Sequence, residues 1–346
     1  IALNYHRRIL FTEIFSYSLL MRPIETLVTN LPWQEHHKAR LVEAAPEAKI
    51  IYVDPRDPAA LQAAMPEADV AVILGRPDVS KAKKLQWMHW DAAGLDAIAQ
   101  KDYIEVGFPI TGSAGRSEPA LAEHVIFFML NHAYHIRTVL ESQAAHQWGY
   151  PGQNEMKALF SQTVGIVGIG HTGRALAKRC KALEMKVLGY DRYATPCADL
   201  DVLYSEENGN SLDEMIPQCD FIVMCCALTD KTYHMLGKKQ FDLMKPNVVV
   251  CNIGRGKTID EAIMLEALRE GRIAGAGLDT FETEPLPADS PVWDTPNVIA
   301  TPHFTPACPD KLGRSLDIVI ENIHRFHDGR PLVNQLKPED VYTPRK

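Results

Sequence analysis

From Ile24 onward, short apolar runs alternate with longer stretches of mixed polarity. IETLVT, KIIYV, DVAVIL, LQWMHW and YIEV read as strands, separated by crossovers such as a polar stretch from Trp33 to Ala45 and a helix-like one around Ala59 to Met65. Strands separated by crossovers of this length build a parallel sheet with helices on its faces. A second series follows: TVGIVG, KVLGY, FIVMCC, NVVVCN, GAGLD and NVIAT, interrupted by helix-like stretches such as Leu212 to Ile216 and Glu261 to Glu270. Six strands in this order predict a doubly wound sheet, whose ligand crevice lies at the carboxyl ends of its strands. The fold class is therefore α/β, with two doubly wound parallel-sheet domains.

Between the two series, Glu118 to Trp148 reads as one long helix, with Pro119 where a helix tolerates proline and no later proline to break it. Its apolar residues cover more than one face, which predicts burial against its own domain and against a second surface, such as another subunit. The stretch before Met21 carries Arg7, Arg8 and several aromatics. It reads as an N-terminal extension, residues 1–22, either transit-peptide-like or simply upstream sequence, and is set aside from the fold. The tail LKPEDVYTPRK is too short to form a domain.

A chain of 346 residues with 46% hydrophobic composition is long enough for two cores. The net charge of −8, with no basic cluster, argues against a nucleic-acid partner. No apolar run approaches the ~20 residues of a membrane span. Seven cysteines at irregular spacing suggest no disulfide framework, so a reducing, cytoplasmic setting is expected. Cys225 and Cys226 read as small buried hydrophobes.

VGIVGIGHTGRALA places Gly168, Gly170 and Gly173 in G-x-G-x-x-G spacing at the first strand-to-helix turn of the second series. The first glycine allows the tight turn, the second lets backbone approach a pyrophosphate, and the third lets helix and strand pack. Asp191, 23 residues after Gly168, ends the next strand, where a carboxylate accepts hydrogen bonds from a ribose and repels a 2′-phosphate. NAD is thus expected over NADP, although Arg192 next to it points the other way.

Three further strand ends carry chemistry: NIGRG (Asn252 to Gly256), GLDTFETEPL (Gly277 to Leu286) and TPHFTP (Thr301 to Pro306). Reducing a 2-keto acid by hydride needs a cation for its carboxylate and carbonyl, a proton donor, and a group that favours the donor's protonated form. Arg255 offers a bidentate fork for the first task, His303 an imidazole for the second, and Glu284 a carboxylate for the third. Taken singly, each has a plain alternative as a surface or loop residue; their occurrence on successive strand ends favours the chemical reading. Trp87, Trp90, Trp148 and Phe304 could line an apolar substrate pocket, and Arg76 and Arg116 could bind a second anion; packing and surface exposure are the competing explanations.

GIVGIGHTGRAL with Asp191, ALTDKTYHML, NIGRG, and GLDTFETEPL followed by TPH together resemble the D-isomer-specific 2-hydroxyacid dehydrogenase family, over about Pro23 to Leu336. The resemblance implies a catalytic triad of Arg255, Glu284 and His303 acting on a small 2-keto or 2-hydroxy acid. It implies NAD held by Gly168, Gly170, His171, Thr172, Gly173, Asp191, Arg192, Cys226, Ala227, Thr232, Asn252, Ile253, Gly254 and Asp279, the last near the nicotinamide carboxamide. It places the loop Asp91 to Leu95, with Ala92, Ala93 and Gly94, at the substrate carboxylate alongside Arg255 and His303, and it implies no metal.

The resemblance also implies a discontinuous flavodoxin-like substrate domain, residues 23–113 completed by 309–346, around a Rossmann-type cofactor domain at 114–308. A homodimer through the long helix is implied as well. Two departures stand out: Ala227 stands where the family often has proline, and FTPACPD follows His303, bordering the nicotinamide and substrate, where small residues are common. NAD(H)-sensing transcriptional corepressors share this fold and these three residues, so a second reading stays open, to be marked by a peptide-binding groove. Formate dehydrogenases pair the histidine with glutamine, and Glu284 argues against that activity.

Overall fold

The computed structural model describes residues 23–150, 152–304 and 308–345. The expected N-terminal extension, and Thr305 to Ala307 of the segment after His303, lie outside the described residues. The first part of the chain forms β1 (Thr26–Thr29), α1 (Glu35–Ala44), β2 (Lys49–Tyr52), α2 (Pro58–Ala64), β3 (Val70–Ile73), β4 (Trp87–Trp90), α3 (Lys101–Ile104) and β5 (Ile110–Gly112). Its five strands make a sheet ordered β2-β1-β3-β4-β5. β1 pairs in parallel with both neighbours, Leu27 lying opposite Ile50 and Val70.

Two helices follow, α4 (Glu118–Ala133) and α5 (Ile136–Ala144). The second series is β6 (Thr163–Val167), α6 (His171–Ala182), β7 (Lys186–Asp191), β8 (Val202–Ser205), α7 (Leu212–Met215), β9 (Phe221–Met224), α8 (Lys238–Asp242), β10 (Val249–Asn252), α9 (Glu261–Arg269), β11 (Gly275–Leu278) and β12 (Val298–Ala300); α10 (Lys311–His327) comes after it. The seven strands are ordered β12-β11-β10-β9-β6-β7-β8. Every pairing is parallel, with Ile166 of β6 opposite Gly189 of β7 and Val223 of β9. The strand order reverses between β6 and β9, so their carboxyl ends flank the crevice of this doubly wound sheet. The inner strands are apolar runs because both faces are covered. One core joins Met224, Val250 and Leu278 to Met264 and Leu268; the other joins Ile166, Val223 and Cys251 to Val125, Phe128 and Leu176.

By packing, the chain divides into two compact units. One comprises the described residues through His89 with Leu316–Val333; the other comprises Trp90–Ser315 with Asn334–Lys346. This division falls earlier than the expected boundary at residue 113. It also separates the last helical stretch from the tail, which groups with the larger unit.

Three elements differ from the sequence reading. YIEV is not a strand: Tyr103 and Ile104 close a helical turn on the Gln100 carbonyl, 3.0 Å from each amide. The strand lies instead at Ile110–Gly112, too short for periodicity to reveal. The long helix is two helices, because His135 takes φ = +50°, a left-handed residue of the kind that ends helices. A seventh strand, Val202–Ser205, was missed because it sits at the sheet edge and is only partly buried, which breaks up its apolar signal.

Candidate active site

The glycine turn joins β6 to α6. Gly168 adopts φ = +97°, and a Cβ there would stand 2.7 Å from the Cys226 amide nitrogen, just beyond β9. A Cβ on Gly173 would meet the Gly168 carbonyl oxygen at 2.1 Å. These two glycines are required by chain packing. Gly170 is different: a Cβ there would meet nothing within 4 Å, so the space beside it is open. It is the N-cap of α6, with no side-chain hydrogen bond to the first-turn amides. Uncapped amides and the positive end of the helix dipole suit a pyrophosphate.

The turn opens onto a groove of about 370 Å³. Of the residues expected to hold a dinucleotide, Gly168, Gly170, His171, Thr172, Asp191, Arg192, Cys226, Ala227, Thr232, Ile253 and Gly254 line it. Asp191 is drawn toward the turn, its Oδ2 accepting from the Ile169 amide at 2.6 Å and its Oδ1 from the Tyr193 amide at 3.2 Å. The Thr232 hydroxyl donates to the Ala227 carbonyl at 2.7 Å, closing the loop after β9. Burial pushes the Cys226 thiol up to about 12 and Cys225 well above its usual range, so both are inert at neutral pH.

Gly173, Asn252 and Asp279 support the groove without lining it. Asn252 is buried and shapes the NIGRG turn, donating to the Arg255 carbonyl at 3.0 Å and accepting from the Gly254 amide at 3.0 Å. Asp279, also buried, accepts from the Thr301 hydroxyl at 2.7 Å and the Phe304 amide at 3.1 Å, both on Oδ1.

Arg255 lines the groove beside Ala93 and Gly94. Its Nε donates to Asp96 Oδ1 at 2.7 Å and its Nη1 to the Gly254 carbonyl at 2.9 Å. A Cβ on Gly94 would fall 1.6 Å from Arg255 Nη2, so a side chain there would push the guanidinium out of its present place. Asp96 escaped the sequence reading, since a single acid in a loop carries no periodic signal. Ala92 does not line the groove, and its amide is turned onto the Trp90 carbonyl at 2.7 Å.

His303 and Glu284 are brought together: His303 Nδ1 lies 2.6 Å from Glu284 Oε2, while Glu284 Oε1 accepts from the Phe281 amide at 2.9 Å. A carboxylate only accepts, so the bond places the proton on Nδ1 and leaves Nε2 to exchange a proton elsewhere. His303 sits at φ = +47° directly after Pro302, its amide donating to the Thr301 carbonyl at 2.9 Å. The pair is partly exposed and stands outside the groove lining, whereas Arg255 stands within it.

None of Trp87, Trp90, Trp148 or Phe304 lines the groove; the first two are buried and the last two exposed. Nor is Arg116 available for a second anion. It is largely buried, with Nη1 donating to Asp91 Oδ1 at 2.6 Å and to the Ser315 hydroxyl at 3.0 Å.

A family model described as D-isomer specific 2-hydroxyacid dehydrogenase, NAD binding domain, matches residues 126–305. The chain belongs to this family and is an oxidoreductase with a nicotinamide-cofactor domain. It is similar to a glyoxylate reductase of Korarchaeum cryptofilum, 32% identical over 302 residues, covering 85% of this chain and 88% of that one. Among solved structures, a family protein from Aeromonas salmonicida is 31% identical with a TM-score of 0.75, covering 90% of this chain and 99% of that one. An NADPH-dependent glyoxylate/hydroxypyruvate reductase from Sinorhizobium meliloti, solved with NADP and sulfate, is 27% identical with a TM-score of 0.76; the match covers 92% of this chain and 100% of that one.

Proposed function

We propose that the chain is an NAD-dependent D-2-hydroxyacid dehydrogenase whose substrates are short 2-keto acids of the glyoxylate and hydroxypyruvate type. The observation that carries the reading is the His303–Glu284 bond of 2.6 Å, in the same unit as a groove whose open Gly170 and uncapped helix suit a dinucleotide. The nicotinamide, when bound, supplies or accepts the hydride. The chain's own residues do the rest. Arg255, held by Asp96, binds the substrate carboxylate and polarises the carbonyl with its remaining N–H donors; the amides of Ala93 and Gly94 assist it. His303, oriented by Glu284, gives a proton from Nε2 to the carbonyl oxygen in reduction and takes it back in oxidation. Asp191 accepts from the ribose hydroxyls and favours NAD. The substrate class is supported by the reductases named above.

The test is cofactor oxidation, with NADH and NADPH in parallel, over 2-keto acids from glyoxylate and hydroxypyruvate through pyruvate to branched and aromatic examples. The expected result is turnover with NADH, highest for the first two. Absence of turnover across the whole panel with both cofactors overturns the reading.

A further inference from the structure

The last described stretch of the chain returns to the groove and is firmly anchored there. Asn334 donates to the Gly112 and Ala114 carbonyls at 3.2 and 2.8 Å, and its Oδ1 lies 3.0 Å from His171 Nε2. Beyond a single 3-10 turn at Pro338–Asp340, the Asp230 amide donates to the Val341 carbonyl at 2.9 Å. The Thr343 amide and hydroxyl donate back to the Asp230 carboxylate at 2.8 and 2.9 Å. Tyr342 is buried with its amide on the Ala99 carbonyl, and the Arg345 guanidinium lies 4.0 Å from the Tyr233 ring centre. A segment with so many fixed backbone groups is part of the fold.

This anchoring delivers two carboxylates to the end of the groove where Asp191 stands. Glu339 Oε1 accepts from the Tyr193 hydroxyl at 2.7 Å. Asp340 lines the groove, accepts from the Lys337 amide at 3.0 Å, and lies 4.0 Å from Arg192 Nη1. Arg192 is the lining cation adjacent to Asp191, and an arginine in this place is the residue type that accommodates a 2′-phosphate. Lys337 lies 4.7 Å from the Tyr193 ring centre and does not line the groove. Burial raises the Asp340 carboxyl above its usual range. Burial works against the Arg192 charge, yet the Tyr193 phenol and the Asp340 and Glu339 carboxylates outweigh it and raise that group too.

We infer that Asp340 is a cofactor-specificity residue: by engaging Arg192 and adding its carboxylate to those of Asp191 and Glu206, it turns the groove against a 2′-phosphate. The inference rests on the groove being the dinucleotide site. A 2′-phosphate brings roughly −1.5 to −2 charge, judged by other phosphate monoesters, into a corner already lined by three acids. The one adjacent guanidinium is paired, at 4.0 Å, with the tail's Asp340 carboxylate. Removing Asp340's charge both lifts repulsion and frees Arg192.

The experiment measures NADH and NADPH dissociation constants by nicotinamide fluorescence, without substrate, for wild type, Asp340→Asn, Arg192→Ala and the double variant. Wild type should bind NADH more tightly than NADPH. Asp340→Asn should move the ratio toward NADPH by about tenfold or more, or ~1.4 kcal/mol. In the double variant the part of that gain owed to the freed Arg192 should be lost, leaving only the part owed to lifted repulsion. Arg192→Ala alone should cost NADPH little, because the guanidinium is already engaged; this arm needs no change at Asp340 and stands even if Asp340→Asn fails to fold. An unchanged ratio in Asp340→Asn, or a large NADPH loss in Arg192→Ala alone, overturns the inference and leaves the groove reading intact. Wild type binding neither nucleotide overturns the groove reading and the inference with it.

Discussion

The proposed proton transfer depends on one hydrogen bond whose donor and acceptor are fixed by chemistry. Glu284 can only accept, so the neutral ring of His303 keeps its proton on Nδ1, 2.6 Å from Oε2, and presents Nε2. Glutamine is nearly isosteric but offers a donor as well as an acceptor, so Glu284→Gln permits the opposite tautomer. The expected result is a loss of about 10²- to 10⁴-fold in kcat for keto-acid reduction, the range for disabling a positioned acid–base group, with NADH affinity little changed. Steady-state kinetics and nucleotide titration together check this; an unaltered kcat would remove Glu284 from the chemistry. The residue types and spacing of Arg255, Glu284 and His303 were legible in the sequence because each follows a strand end. Asp96 and Asp340 were not, since each reaches its partner through loops that no local pattern encodes.

Elements were legible in proportion to how local their signal is. The buried parallel strands stood out as apolar runs, whereas β8 and β5 depend on tertiary partners at a sheet edge and in a three-residue strand. α4 shows what local patterning leaves out. Its His132 is partly buried, with Nε2 donating to the Ala276 carbonyl of β11 at 3.1 Å. Burial, helped by the charges of Arg137 and His135 and opposed by that hydrogen bond, pushes the His132 pKa below its ordinary 6.5. His124, on the same helix, is also lowered by burial, against the opposing pull of Asp279. For such a group the unfolded chain binds the proton first. Its contribution to stability is complete above about 6.5 and is lost as pH falls through the folded value. His132→Gln keeps a donor for Ala276 but cannot titrate. Melting temperatures measured from pH 7.5 down to 5 should therefore fall less steeply in the variant than in wild type. Identical slopes would show that His132 is not a source of acid sensitivity.

At the scale of the whole molecule, two strand series announced two α/β units, and the glycine turn identified which would hold the cofactor. The packing boundary at His89 and the regrouping of the tail could not be read, because both depend on long-range contacts. The long apolar segment carried further information. α4 buries Val125, Phe128 and Met129 in the core yet leaves Phe127 and Leu130 exposed, with exposed Tyr134 at its C-cap, and α5 has no buried residue while exposing Leu140. Trp148, just beyond α5, is fully exposed. Such an outward apolar face is costly to leave in water and marks an interaction surface. We propose that it joins two copies of this chain, because a helix apolar on both sides supplies one face to its own core and an identical one to each partner, as a two-fold interface requires. A stable interface of this kind buries ~1,200–2,000 Å² in total, which several large side chains per copy can help supply. Light scattering at tens of micromolar should give twice the mass of the chain. Replacing Leu130 and Leu140 with glutamate should yield monomers, because the new charges would be buried without partners. Wild type that elutes as a monomer, or a doubly substituted chain that remains a dimer, would place the interface elsewhere or remove it.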